Sequence, residues 1–387
     1  MNILFLLRAL DLGGLEVVTA TLANKFTDEG HHVCVYAFEK RSGMLLDRFS
    51  QNVKITIAGK YQVSSENVTS LRDVLNTHHI QVVINQWGLP LVPIRTLCKA
   101  KKGMDIKVIS VYHNDPLKNG RIQDVETEIQ KSGVYYKKLL LRCKKFAFRC
   151  VTGLSMRYNY NQSDLYGVLS TSYVSHFQQF TWLKSTPKLV VLNNPVTIKT
   201  DGFVYKSELK KKEIIYVGRL DYTQKRVHRV IEVWKMLEQT NPDWQLTIVG
   251  DGEERENLVM MVSNLKLKHV RFEGIQEPRP YYERAAVLIL TSEFEGFPLV
   301  LAECMSFGVV PVVYDSFSAV YDIIDDGKNG IIIPQTSLGF NAILMAESVQ
   351  ALMSNKSRSN EMSISAIKKS KQFSLDKIYQ EWMKVMQ

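Results

Sequence analysis

Glu213-Ile214-Ile215-Tyr216-Val217-Gly218-Arg219-Leu220-Asp221-Tyr222-Thr223-Gln224-Lys225 is an apolar run that stops at a glycine and then presents a guanidinium and an ammonium. β-Branched and aromatic residues bounded by a turn read as a buried strand. Charged groups just past such a strand lie where open α/β sheets bind ligands. Two cations there suit a diphosphate: arginine grips phosphate oxygens through paired hydrogen bonds, and lysine supplies a mobile charge that steadies a departing nucleotide. The alternative is a solvated basic loop, since Lys225, Arg226 and Arg229 crowd together.

Outward from that strand the rhythm repeats. Further strands are expected at Leu246 to Val249, Val270 to Phe272, Val287 to Leu290, Val310 to Val313 and Ile331 to Ile333, separated by helical stripes such as Val227, Val230, Ile231 and Trp234. Upstream, Ile3 to Leu7, Val33 to Phe38, Val53 to Ile57, Val82 to Ile84 and Val108 to Tyr112 give an earlier series, with Leu15, Val18, Leu22 and Phe26 on one helical face. Strands alternating with helices imply parallel sheets covered on both sides. We therefore expect an α/β fold of two doubly wound, Rossmann-like domains facing across a cleft. They are residues 1–199 and 213–371, joined by a polar, lysine-rich linker at 200–212.

A chain of 387 residues with 45% hydrophobic content can bury two such cores. Its five cysteines are scattered, without zinc or redox spacing, and read as small core residues in a reducing compartment. The first apolar run is too short for a signal peptide or a membrane span, so a cytoplasmic protein is expected. The net charge of +10 permits contact with an anionic surface without establishing a partner. No nucleic acid is expected.

A second loop, Thr291-Ser292-Glu293-Phe294-Glu295-Gly296-Phe297-Pro298, leads into the apolar helix Leu299 to Phe307. A helix start offers backbone N–H groups to phosphate or sugar oxygens. Glu295 and Glu303 are acceptor-only carboxylates suited to ligand hydroxyls. The Glu303 carboxylate is embedded in an apolar run; the bland reading is a surface helix residue.

The pattern G-R-L-x5-K followed by E-G-F-P-x4-E resembles the signature of the family-four retaining nucleotide-sugar glycosyltransferases, of GT-B architecture. The similarity extends to Gly13-Gly14-Leu15-Glu16, Tyr112-His113-Asn114, Asn194-Pro195, Gly250-Asp251-Gly252 and the stretch 322–330. The resemblance implies that Arg219 and Lys225 hold the donor diphosphate, that Glu303 bonds the ribose and that Glu295 bonds sugar hydroxyls, with Gly296, Phe297 and Leu299 completing the donor site. It implies that Gly13 and Gly14 let backbone approach the phosphate and sugar, and that His113 stands by the transferred sugar. It also implies that the C-terminal helix, 372–387, returns to the first domain. The chain departs from the pattern at Arg226, where a glycine usually follows the lysine, and at Val17, where an arginine often stands. Neither change removes a group the chemistry needs.

The expected function is transfer of a sugar from a nucleotide-sugar donor, UDP-sugar as first guess, to a glycan or lipid-linked acceptor in bacterial surface polysaccharide synthesis. Family members retain anomeric configuration, with the leaving phosphate helping to deprotonate the acceptor. No metal and no cofactor are expected, since the sequence has no D-x-D and the cations can take the diphosphate charge. The pairs Asp251/Glu253 and Glu293/Glu295 are the nearest imitations, and Asp251 to Glu253 reads as a helix start. A dinucleotide oxidoreductase is excluded by the missing G-x-G-x-x-G turn. A nucleotide-sugar epimerase and a non-catalytic sugar-nucleotide binder are the remaining alternatives. Tyr135 to Cys150 sets a basic face, Lys138, Arg142, Lys145 and Arg149, beside an apolar one, Tyr136, Leu140, Cys143, Ala147 and Cys150. Both an ordinary surface helix and peripheral inner-membrane docking fit that pattern.

Overall fold

The computed structural model describes residues 1–11, 13–41, 45–118 and 120–387. The chain divides into two compact units, Met1–Asn194 with Leu375–Gln387, and Pro195–Ser374.

The first unit holds strands β1 (Asn2–Leu10), β2 (His32–Lys40), β3 (Lys54–Ile57), β4 (Val82–Asn85), β5 (Lys107–Tyr112), β6 (Leu165–Val168) and β7 (Leu189–Val191). They form one parallel sheet in the order β3-β2-β1-β4-β5-β6-β7. Ile3 to Leu7 are fully buried in consecutive positions, as a strand covered on both faces requires. Leu4, Leu6, Tyr36, Phe38, Leu71 and Ile94 anchor one side of the core. The sequence reading misses β6 and β7, which are short; β7 is only half-buried and β6 contains a glycine. The helix Leu375–Met386 belongs to this unit. Its Tyr379 ring meets Phe26 edge-on at 5.3 Å, and Asp376 pairs with Lys25 at 2.5 Å.

Among the cysteines, Cys34 and Cys304 are buried as expected, but Cys143 is exposed and Cys98 and Cys150 are half-buried. The exposure of Cys143 follows from its helix, Tyr135–Gln162. That helix buries Gly153, Met156, Asn159 and Tyr160 in its second half, and in its first half only Leu141.

The second unit holds β8 (Glu213–Val217), β9 (Gln245–Val249), β10 (Val270–Gly274), β11 (Val287–Leu290), β12 (Val310–Tyr314) and β13 (Ile331–Ile333). Their order is β10-β9-β8-β11-β12-β13, all parallel. Residues 200–212, expected as a linker, pack inside this unit. The Tyr205 hydroxyl reaches Asn360 at 3.0 Å, Lys210 Nζ donates to the Tyr282 carbonyl at 2.8 Å, and the Lys211 N–H meets the Arg284 carbonyl at 2.7 Å. The division between units falls instead at Asn194 and Pro195. In each sheet the order reverses once, between β1 and β4 and between β8 and β11, so neighbouring strands there send their loops apart at the carboxyl edge.

Candidate functional site

The loop after β8 is shaped by a close crossing of backbones. Gly218 and Gly250 follow adjacent strands, and a Cβ on Gly250 would sit 1.9 Å from the Gly218 carbonyl oxygen; Gly250 also has φ +138°. Only glycine fits there. The Tyr216 hydroxyl donates to the Arg219 carbonyl at 2.9 Å, and the Leu220 N–H to the Asp251 carbonyl at 2.9 Å, which fixes the turn. Asp251 to Glu253 lie in this turn region, ahead of the helix Arg255–Asn264, so they do not begin the helix as expected.

Arg219 is 62% exposed and rests on Asp221 at 3.0 Å and Gln224 at 3.3 Å. The backbone then turns left-handed at Arg226, φ +52°, the position where the resembled pattern has glycine. A non-glycine residue pays a strain cost in this region. Arg226 offsets it by lying over the Tyr222 ring, 4.6 Å from its centroid, and by facing Glu293 at 3.7 Å. The departure at Arg226 therefore keeps the loop shape that glycine would give.

The loops after β8 and β11 are stitched together. The Glu293 N–H donates to the Gln224 carbonyl at 2.7 Å, and Gln224 Nε2 to the Phe294 carbonyl at 3.2 Å. This brings Lys225 Nζ within 2.6 Å of Glu295 Oε1, and Arg229 within 2.8 Å of Glu293. Both members of the Glu293/Glu295 pair thus face cations. Glu295 is 6% exposed and Phe297 4%, the latter edge-on to Phe373 at 5.4 Å. Pro298 caps the helix Leu299–Ser306, with Leu299 its first residue.

Glu303 lies a turn into that helix and is 5% exposed. It accepts from the Thr197 hydroxyl and, at 3.4 Å, from the Tyr282 hydroxyl. Burial lifts its carboxyl above the ordinary range, and the Thr197 bond works against that rise. Arg219, Lys225, Glu295 and Glu303 therefore stand on two adjoining strand-to-helix connections of one unit. Sequence reasoning missed Gln224, which stitches the loops, and Thr197 and Tyr282, which hold Glu303. No local pattern marks them, because their partners are distant in the sequence: Glu293 and Phe294 for Gln224, and Glu303 for Thr197 and Tyr282.

The remaining expected residues lie in the first unit. Gly13 caps the helix Gly14–Asp28 in extended conformation, and a Cβ there would meet the Glu16 carboxylate at 2.5 Å. Burial pushes the Glu16 carboxyl up to about 7. His113 follows β5, and its Nε2 lies 2.6 Å from Gln86 Oε1, just past β4. Desolvation lowers this imidazole to about 3, so it is neutral at physiological pH. With the proton on Nε2 directed at the Gln86 carbonyl, Nδ1 is a buried acceptor with no partner among the described residues.

His32, Cys34 and His78 converge at the opposite end of the first sheet, their ligand-type atoms within 4.8 Å of one another. The sequence reading did not anticipate the cluster, because His78 comes from a separate element. His32 Nε2 and His78 Nδ1 lie 3.1 Å apart, and Lys54 adds positive charge beside His78.

Residues 12–196 match the family described as Glycosyltransferase Family 4, and residues 198–369 the family described as Glycosyl transferases group 1. An uncharacterized glycosyltransferase of Haemophilus influenzae is 30% identical over 203 residues, 52% of this chain and 56% of that protein. The Campylobacter jejuni GalNAc-alpha-(1->4)-GalNAc-alpha-(1->3)-diNAcBac-PP-undecaprenol alpha-1,4-N-acetyl-D-galactosaminyltransferase is 23% identical over 100% of this chain and 98% of its own. Among solved structures, Anabaena Alr3699/HepE in complex with UDP and glucose aligns with a TM-score of 0.73 at 16% identity, covering 100% of this chain and 99% of that one. That likeness shows the fold.

Proposed function

We propose that this chain, which belongs to the family 4 glycosyltransferases, moves a sugar with retention from a UDP-sugar onto a glycan or lipid-linked acceptor of a bacterial surface polysaccharide, without a metal ion. The observation that carries the reading is the stitched loop pair of the second unit, where Lys225 meets Glu295 beside the exposed Arg219. Arg219 and Lys225 take the donor diphosphate and the charge that grows as it leaves. Glu295 holds Lys225 in place and accepts from sugar hydroxyls. Glu303, already an acceptor for two hydroxyls, takes those of the ribose. Neutral His113 offers Nδ1 to a hydroxyl of the transferred sugar without adding charge. The undecaprenol-linked substrate named for the Campylobacter relative supports a lipid-linked acceptor.

The test is a thermal-shift screen against UDP-, GDP-, ADP-, CMP- and dTDP-sugars in chelator, followed by NMR of the product anomer. Stabilisation by one nucleotide and a glycoside of retained configuration are expected. An epimerised donor, or binding without turnover, sinks the transferase reading.

Membrane docking of the helix Tyr135–Gln162 is part of the same proposal. Its expected apolar face turns outward: Tyr136 is 68% exposed and Leu140 53%, Cys143 and Ala147 are exposed and Cys150 is half-buried, while Tyr135, Leu139 and Phe146, off that face, are exposed as well beside Arg142 and Lys144. Exposed aromatic and aliphatic side chains beside cations suit an anionic lipid surface. No described helix is long and apolar enough to cross a membrane. Co-sedimentation with phosphatidylglycerol vesicles but not phosphatidylcholine vesicles is expected. Equal pelleting of a Tyr135→Ser/Tyr136→Ser/Leu139→Ser/Leu140→Ser variant refutes it.

A further inference from the structure

At the carboxyl edge of the first sheet, the end of β1 and three connections bring Arg8, Tyr61, Gln86, Trp87 and His113 into one group. Arg8 lies near the end of β1 with its guanidinium carbon 4.7 Å from the Tyr61 ring centroid and 5.7 Å from that of Trp87. Gln86 precedes Trp87 in the chain and holds His113. Arg8 Nε, Trp87 Nε1, the Tyr61 hydroxyl and Gln86 Nε2 are all buried, and none has a hydrogen-bond partner among the described residues. Gln86 is 1% exposed.

An arginine that merely packs on aromatic rings keeps its polar head in water. Arg8 as a whole is half-buried, but its Nε is out of water, and the unsatisfied donors Arg8 Nε, Trp87 Nε1 and Gln86 Nε2 outnumber the unsatisfied acceptors in the group, the Tyr61 hydroxyl oxygen and His113 Nδ1, so the group is short of acceptors. No ion pair to Arg8 exists among the described residues, and the nearby Glu39 faces Arg41 at 3.1 Å. Burial lifts the Tyr61 phenol to about 12, so its O–H remains a donor. A cation held between two rings, flanked by donors and lacking a counter-charge, is complementary to an oxyanion.

We propose that Arg8, with Tyr61 and Trp87, forms an oxyanion subsite for the acceptor, so that the acceptor carries a phosphate or a carboxylate. This deepens the transferase reading and rests on it. It names the acceptor's chemical class from residues outside the donor motifs.

The probes are glycerol 1-phosphate, methyl glucuronide and uncharged methyl glucoside, read by thermal shift on the full chain with and without saturating UDP. One of the two anions stabilises the chain more than the glucoside does, and which one identifies the anion's source. Arg8→Gln weakens that response about tenfold or more, Arg8→Lys keeps part of it, and Trp87→Phe, which removes one donor and keeps a ring, weakens it about threefold. The UDP shift should be the same in all these variants. An anion response equal in the wild type and Arg8→Gln, or no anion response in the wild type, overturns the subsite. A missing UDP shift with an Arg8-dependent anion response counts against the donor reading alone.

Discussion

The carboxyl edges of the two sheets solve the placing of charged groups in opposite ways. In the second unit each charged side chain of the site faces an opposite charge or a hydrogen-bond partner: Lys225 faces Glu295, Arg219 faces Asp221, and Glu303 takes two hydroxyls. In the first unit Arg8 has no counter-charge among the described residues, and Gln86, Trp87 and His113 each keep a buried polar atom unsatisfied; in the second unit the buried side-chain atoms without a hydrogen bond are Ser292 Oγ, Arg226 Nε and Glu293 Oε2, and the last two face each other as an ion pair. A site made of internal pairs holds its shape before a ligand arrives, so the ligand competes with those pairs. A site with unsatisfied buried atoms gains most from the ligand itself. Paired charges fit a fixed donor recognised in one orientation. Unpaired ones fit an acceptor whose own groups complete the site.

The largest effect that would break this contrast is expected at Lys225. Lys225→Ala should lower kcat/KM by about 10²–10³-fold, as loss of a charge-stabilising group does. It should also lower the melting temperature, because Glu295 is left buried without its cation. The double change Lys225→Met/Glu295→Gln should recover stability but not activity. Full activity in that variant would show the pair to be structural.

Glu16 tests the first unit through pH. Burial raises its carboxyl from 4.5 to about 7, so the native state favours the protonated form. Its contribution is whole below about pH 4.5 and is lost as pH rises through about 7, a span worth about 3 kcal/mol. Denaturation across that window should show this loss in the wild type and a flatter profile in Glu16→Gln. Parallel profiles would contradict the burial argument. Glu303 is raised in the same sense, so Glu303→Gln should match or exceed wild-type stability near neutral pH while weakening nucleotide binding about tenfold.

The smallest change is expected at Arg226. Arg226→Gly relieves a left-handed strain of about 1 kcal/mol and loses the Tyr222 and Glu293 contacts, so net stability should move by less than about 1 kcal/mol. A large loss would mean that the arginine does more than hold the turn.

This contrast also explains what could be read from the sequence. Second-unit strands such as Glu213–Val217, apolar after its first residue, and Val287–Leu290 are apolar runs ended by glycine or polar turns, and their chemistry follows within thirteen residues, from Arg219 to Glu303, so both were legible. Gly250 was quoted for its pattern; its reason, the crossing of two backbones, needs the sheet. In the first unit, Arg8 lies in β1 and Tyr61 and Trp87 on two different connections, and nothing local links them until β1 and β4 are neighbours. The outward turn of Tyr136 and Leu140 was equally hidden, because an amphipathic period fixes which residues share a face and not which way that face points.

Calorimetric titration of UDP in the presence of chelator, into the wild type and into Lys225→Met/Glu295→Gln, tests the central claim most directly. The account predicts metal-free binding by the wild type and at least about tenfold weaker binding by the folded double variant. Equal affinity in the two proteins, or wild-type binding only when a divalent ion is restored, would contradict it.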